Sequence, residues 1–386
     1  MRIVIVSTAS EKFEDFAQGN LLGTEAQLFG LAKALARNKH EVFIIRRWKT
    51  RSFVECIQGV YVINIETPYL YDACLKYVFT KMLFSKTLRN IVNALNPDII
   101  QFTDAYTAYY LTDLKLPKVL VLHSPLYDWT NFSQSKLQNI LWHIKRPLNL
   151  KIQTHVVKSS SAIVTLSMYH TKLAKLFAPN CTVKRIPNGI NLSEFSDVKV
   201  EDENFVLYGG RLSKEKGVDV LIRAFSLVIK NISKPIKLLI VGSGPEETYL
   251  KQLTRSLEIE NKVVFMPLLS RSKFIRILAK CSVFVLPSFY ETFGVVILEA
   301  MSLGKPVIAS NVAGPNEIIT HWFNGFLFSP GNSYELADYI KMLIEDKNLR
   351  KHIGMNARNT ASKYDFNLIV NRYLELYKLL IGTKYE

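Results

Sequence analysis

Short runs of β-branched and aliphatic residues alternate with longer helical patterns along this chain, and they do so in two successive sets. The first set runs RIVIVS, a helical pattern from about Gly23 to Arg37, EVFIIR, VYVINI, a long helical pattern near Leu75 to Leu95, DIIQF, KVLVLH and AIVTLS. The second runs FVLYGG, a helix from Val218, KLLIVG, a helix after Pro245, KVVF, a helix from about Ser272, SVFVLP, a helix from about Phe293, and KPVIAS. Continuous apolar strands need cover on both faces, and parallel neighbours need a long crossover; intervening helices supply both. The pattern predicts an α/β fold of two tandem Rossmann-like, doubly wound domains.

The polar segment IPNGINLSEFSDVKVEDENF separates the sets and carries four acids between Asp197 and Glu203. It places the first domain over 1–190 and the second over 191–366. Residues 367–386 form a C-terminal helix expected to pack back toward the first domain, because Leu368, Leu374, Leu376, Leu379 and Leu380 must be covered. Two such domains would face each other across a cleft outside the carboxyl ends of their strands, where loops carry function.

An apolar fraction of 48% with 21% charged residues places the chain among globular proteins rather than disordered ones. MRIVIVSTAS has too few consecutive apolar residues for a signal-peptide core, and no run approaches the roughly 18 that span a bilayer. A cytoplasmic location is expected. Cys56, Cys74, Cys181 and Cys281 are scattered without C-x-x-C or zinc spacing, and read as core thiols in a reducing compartment.

The net charge of +16 is concentrated: between Lys115 and Arg185 eleven Lys and Arg face one acid, Asp128. Within this span NILWHIKRPLNLKIQTHVVK interleaves Trp142 with Lys145, Arg146, Lys151 and Lys158, and the stretch from Leu75 adds four cations and no acid. Such a surface suits an anionic membrane, an acidic substrate or nucleic acid. The lack of a helix-turn-helix, zinc or RNP pattern makes nucleic acid the least favoured partner.

Two stretches carry chemistry. In GGRLSKEKG, Gly209 to Gly217, paired glycines precede Arg211 and Lys216, a combination that suggests an anion without the spacing of a P-loop or a dinucleotide fingerprint. In PSFYETFGVVILEAMSLGKPVIAS a strand ends at Pro287, a loop carries Glu291, and a helix is expected from Thr292 or Phe293. The unpaired N–H groups of Phe293, Gly294, Val295 and Val296 could then receive phosphate oxygens. Glu299, about 9 Å farther along, could accept hydrogen bonds from a ribose diol, or be an ordinary solvated residue.

These motifs, in this order, resemble those of retaining glycosyltransferases of family 4, which have the GT-B fold. ETFGVVILE is similar to that family's E-x7-E, GGRLSKEKG to G-R-L-x-x-x-K-G, IPNGI to P-N-G-[IV]-D, VGSGP to G-x-G-P and VAGPNEII to G-x-x-E-I-I. The resemblance implies transfer of a sugar from a nucleotide-sugar donor to a glycan, glycolipid or lipid-linked acceptor. It implies that Arg211 and Lys216 grip the donor diphosphate, that Glu299 binds its ribose, and that Glu291 contacts the transferred sugar. Gly23 matches the second glycine of the family's first loop, with Leu22 where another glycine is usual, and Glu25 follows it. His123 matches a histidine at the sugar end of the donor, while Asn191 replaces the usual Asp after P-N-G-[IV]. The family's front-face mechanism needs no enzyme nucleophile, and without an Asp-x-Asp or His cluster no metal is expected. Tyr106, Tyr109, Tyr110, Tyr127 and Trp129 are acceptor-side candidates by position. A sugar-nucleotide epimerase of related fold is the second enzymatic reading.

Overall fold

The computed structural model describes residues 1–7, 23–48, 51–66, 74–123 and 136–382; the side chains of 74–83, 136–146 and 148 fall outside that description. The chain divides into two compact units, one comprising Met1–Pro187 with Phe366–Glu386, the other Asn188–Asp365.

In the first unit the elements follow in the order β1 (Arg2–Ser7), α1 (Thr24–Arg37), β2 (Glu41–Trp48), β3 (Phe53–Ile57), β4 (Val60–Glu66), α2 (Cys74–Leu95), β5 (Ile99–Phe102), α3 (Ala105–Tyr109), β6 (Lys118–Leu122), α4 (Lys136–Ser159), β7 (Ala162–Thr165), α5 (Met168–Phe177) and β8 (Thr182–Arg185). They form one eight-stranded sheet, β3-β4-β2-β1-β5-β6-β7-β8. All neighbours are parallel except β3, which pairs antiparallel with β4. This edge strand escapes the sequence pattern because it is exposed at alternate positions, and its Cys56 points to solvent rather than into the core as expected. Cys281 is buried and Cys181 half-buried; the side chain of Cys74 lies outside the described residues.

The second unit opens with a single 3-10 turn (Leu192–Glu194) and continues with β9 (Phe205–Gly209), α6 (Val218–Lys230), β10 (Lys237–Val241), α7 (Glu247–Ser256), β11 (Val263–Met266), α8 (Arg271–Leu278), β12 (Val283–Leu286), α9 (Val295–Ser302), β13 (Val307–Ser310), α10 (Pro315–Ile318), β14 (Phe326–Phe328), α11 (Ser333–Glu345) and α12 (Lys347–Ala361). Its six strands are all parallel in the order β11-β10-β9-β12-β13-β14. Winding reverses between β9 and β12, so the loops leaving these two strands diverge and open a crevice at their carboxyl ends. In the first sheet the reversal falls between β1 and β5.

The last helix, α13 (Phe366–Gly382), belongs to the first unit and lies in its core cluster beside α1. Of the leucine set singled out from the sequence, Leu376 and Leu380 are in the covered face and half-buried Leu374 packs beside it. Ile369, Val370, Tyr373, Leu376, Tyr377 and Leu380 are buried at helical spacing, whereas Leu368 and Leu379 are each 53% exposed. Ile369, Val370, Tyr373 and Tyr377 carry the rest of the face. The Tyr377 hydroxyl donates to Gln101 Oε1 at 2.5 Å, so the helix is pinned to β5 by a buried polar contact. Tyr377→Phe leaves that acceptor unpaired and is expected to lower the stability of the first unit by about 1–3 kcal/mol, read from urea unfolding.

Candidate functional site

The crevice of the second unit is shaped by backbone contacts between the loops after β9 and β12. The N–H of Phe289 donates to the carbonyl of Glu215 at 2.8 Å. Gly217 has φ 61 and lies so close to Pro287 that a Cβ there would collide with the Pro287 carbonyl oxygen. Only glycine meets both conditions without strain. The loop of Gly209 to Gly217 is thereby held against the loop that carries Glu291. Gly314 closes the other side, its N–H donating to the Glu291 carbonyl at 3.0 Å.

Helix α9 starts later than the sequence pattern suggested. Gly294, at φ 86, acts as its N-cap and Val295 is the first helical residue. Thr292 and Phe293 remain in the loop, and Phe293 is a core residue at 1% exposure, its ring set against Tyr364. The donors heading the helix are therefore those of Gly294, Val295 and Val296 without Phe293. Glu299 follows Val295 by four residues, about 6 Å along the axis rather than 9 Å.

The two candidate carboxylates are both engaged. Glu291 Oε2 receives Lys216 Nζ at 2.8 Å, with side-chain exposures of 14% and 24%. Glu299, 7% exposed overall, is not a solvated surface residue: Arg271 Nη1 donates to its Oε1 at 2.7 Å. Arg271 Nε donates to Glu194 Oε2 at 2.6 Å, completing a Glu194–Arg271–Glu299 chain. Burial disfavours the Arg271 charge, but the two carboxylates more than reverse this and hold its pKa above the ordinary value. Arg211 is exposed, and the Tyr208 hydroxyl donates to its carbonyl at 2.7 Å. Arg271 and Glu194 escape sequence reasoning, because neither belongs to a recognisable spacing and their meeting depends on a fold-level neighbourhood of α8, α9 and the Leu192–Glu194 turn.

Of the first-unit candidates, His123 directly follows β6 and is half-buried. Desolvation drives its pKa down to about 4, which keeps the imidazole neutral at neutral pH. Gly23 is exposed and N-caps α1 at φ 61. Glu25, in the first turn of that helix, is pushed up to about 7 by burial, with Arg46 opposing the shift. At the end of β2, Arg46 Nη2 pairs with Glu55 at 3.2 Å and Arg46 Nε donates to Asn64 Oδ1 at 2.5 Å. Asp104 caps α3 through Thr107, and Tyr109, 43% exposed, packs its ring against His155. Leu22, Tyr127 and Trp129 lie outside the described residues, as do the side chains of Trp142, Lys145 and Arg146.

Basic residues are not uniformly at the surface. Lys118 is buried, its Nζ donating to the Leu114 carbonyl at 2.5 Å, and burial lowers its pKa. Arg89 forms a two-pronged pair with Asp113 at 2.8 Å. Lys115, Lys151, Lys158, Lys172, Lys175, Lys184 and Arg185 are exposed. On α5, exposed Met168, Tyr169 and Leu176, the last at 77%, alternate with Lys172 and Lys175. Among the described residues no helix is long and apolar enough to cross a membrane, and no cluster of three or more His, Cys, Asp or Glu is arranged to hold a metal ion.

Two measurements test these features, one electrostatic and one of the backbone. Glu25 has a folded pKa above its unfolded one, so the stability it contributes is present below about pH 4.5 and is lost as pH rises toward 7. Glu25→Gln is expected to melt higher than the wild-type protein at pH 8, with the difference vanishing near pH 4. Gly217→Ala, forced into a left-handed conformation against the Pro287 carbonyl, should lose about 1–3 kcal/mol of stability or more, measured by urea unfolding.

Residues 190–360 match the family model of Glycosyl transferases group 1, and residues 22–194 match that of Glycosyltransferase Family 4. An uncharacterized glycosyltransferase of Methanocaldococcus jannaschii is 30% identical over 376 residues, 91% of this chain and 92% of that one. The N,N'-diacetylbacillosaminyl-diphospho-undecaprenol alpha-1,3-N-acetylgalactosaminyltransferase of Campylobacter jejuni is 33% identical over 211 residues, 52% of this chain and 54% of that one. Among solved structures, sucrose-phosphate synthase from Thermosynechococcus elongatus superposes with a TM-score of 0.81 at 21% identity, covering 99% of this chain and all of that one. Anabaena HepE in complex with UDP and glucose does so with a TM-score of 0.74 at 22% identity, covering 98% and 100%. With two parallel Rossmann-like sheets and a match of this extent, the chain belongs to glycosyltransferase family 4, group 1, and has the GT-B fold.

Proposed function

We propose that this glycosyltransferase moves a sugar from a nucleotide-sugar donor to a glycan, glycolipid or lipid-linked acceptor of cell-envelope biosynthesis, with retention of anomeric configuration and without a metal. The observation that carries the reading is the second unit's crevice, where Lys216, Glu291, the start of α9 and a buried Glu299 surround the reversal point of a parallel sheet. A nucleoside diphosphate has the chemistry to meet each group.

In this reading the diphosphate lies at Gly294, Val295 and Val296, with Arg211 and Lys216 beside it and the ribose on Glu299. Breaking the bond between the sugar C1 and the phosphate oxygen leaves charge on the departing diphosphate. Two cations and the amides at the helix start stabilise that charge, the work a metal does elsewhere. The acceptor oxygen bonds to C1 on the face from which the phosphate leaves, and its proton passes to the departing phosphate oxygen. Glu291, released from Lys216, takes sugar hydroxyls. The Campylobacter relative's undecaprenol-linked acceptor supports the lipid-linked choice. The exposed apolar and cationic face of α5 supports attachment to an anionic membrane surface on the cytoplasmic side.

A thermal-shift panel of UDP, GDP, ADP and dTDP with their sugar derivatives tests the donor half, with selective stabilisation by one nucleotide as the expected result. Lys216→Ala should abolish most of that shift and lower kcat/KM about 100- to 1,000-fold once an acceptor is found. Conversion of the donor alone into an epimer would replace transfer by the epimerase reading. The anomeric coupling constant of the product reports retention directly, and activity undiminished by EDTA is the expected metal result.

A further inference from the structure

Arg271 is the first residue of α8, where a cation opposes the helix dipole and has no local reason to be. Its side chain is 14% exposed, as buried as those of its partners Glu299 at 10% and Glu194 at 33% allow. The guanidinium lies 5.9 Å from the ring centroid of Phe195, so packing and two hydrogen bonds define its orientation. A charge held in this position against the helix dipole and desolvation serves its partners rather than its own element.

We propose that Arg271 is the positioning residue for the ribose carboxylate Glu299, and that the Glu194–Arg271–Glu299 chain makes the site select ribonucleoside diphosphates over their 2′-deoxy counterparts. This rests on the donor-site reading above. Arg271 occupies Glu299 Oε1, while Oε2 has no hydrogen-bond partner among the described residues. A carboxylate free to rotate can satisfy one ribose hydroxyl in several ways. A carboxylate clamped at one oxygen offers the other in a single direction, to which two neighbouring hydroxyls can donate together. Removing the 2′-hydroxyl then leaves one oxygen of a mostly buried carboxylate underused, the kind of loss by which polar sites reject analogues. The clamp has a second effect. Glu299 is a carboxylate one helical turn from the expected diphosphate, and pairing with Arg271 offsets their repulsion. Glu194 holds the far side of the guanidinium, tying the ribose contact to the segment that opens the second unit.

Titration calorimetry with UDP, GDP and ADP and with 2′-deoxy-UDP, 2′-deoxy-GDP and 2′-deoxy-ADP tests this on the wild-type protein and on Arg271→Met, Arg271→Lys and Glu194→Gln. The wild-type protein is expected to prefer one ribonucleotide over its deoxy form by about tenfold or more. Arg271→Met should weaken that ribonucleotide about tenfold and reduce the preference to two- or threefold, with Arg271→Lys restoring part of both. Glu194→Gln, at the more exposed end of the chain, should move both quantities in the same direction by about threefold, and it carries the test if Arg271→Met does not fold. A folded Arg271→Met with unchanged affinity and unchanged ribose preference, or an unchanged Glu194→Gln where the methionine variant is unfolded, would overturn the proposal. Binding of none of these nucleotides, nor of dTDP, to the wild-type protein would instead overturn the donor-site reading and this inference with it, whereas binding of dTDP alone would overturn only the inference.

Discussion

One backbone hydrogen bond, from the Phe289 N–H to the Glu215 carbonyl, sets the geometry on which the candidate site depends. Parallel strands at a winding reversal send their loops in opposite directions, and nothing in sheet pairing brings those loops together. Here the Glu215 carbonyl and the close approach of Gly217 to Pro287 recapture the two loops just beyond β9 and β12. Lys216, between the two contacts, is thereby delivered to Glu291. The cation and the carboxylate meet because their backbones are already fixed, so forming the pair costs side-chain rotamer entropy but no further ordering of the backbone.

Charge compensation is the second theme. Each ionised group that the second-unit site uses at low exposure has an opposite partner: Lys216 with Glu291, and Glu299 with Arg271 and Glu194. Breaking a buried pair leaves an uncompensated charge, which costs far more than the pair itself contributes. Ligand binding at such a site is an exchange of partners rather than a capture by idle charges. Two titratable groups of the first unit are shifted by burial instead, His123 held neutral and Glu25 raised.

The parallel-sheet architecture was legible because buried strands are continuous apolar runs, and these survive any uncertainty about helix ends. What escaped the sequence follows from chemistry that periodicity does not see. Edge strand β3 is half exposed and gives no apolar run. The start of α9 depends on a left-handed glycine at 294, a backbone state that composition does not report. Tyr373 and Tyr377 are buried while Leu368 and Leu379 are not, because the covered face of α13 is chosen by its neighbours and not by hydrophobicity alone. Glu299 could be singled out by its place on a helix, but its clamp could not, since Arg271 is 28 residues away in sequence and Glu194 is 77 away from Arg271.

The placement of α13 has a consequence for how the protein is made. The second unit is one continuous segment, Asn188–Asp365, whereas the core of the first is closed by residues beyond it. During synthesis the ribosome delivers every strand of the first sheet before any of the second, yet the first unit must wait for Ile369, Val370, Tyr373 and Tyr377 to cover α1 and reach β5. The later-encoded unit can therefore complete its fold first. Until the last turns of α13 emerge, the apolar surface that this helix covers lacks that cover, and exposed surface of this kind is what makes folding intermediates prone to aggregate.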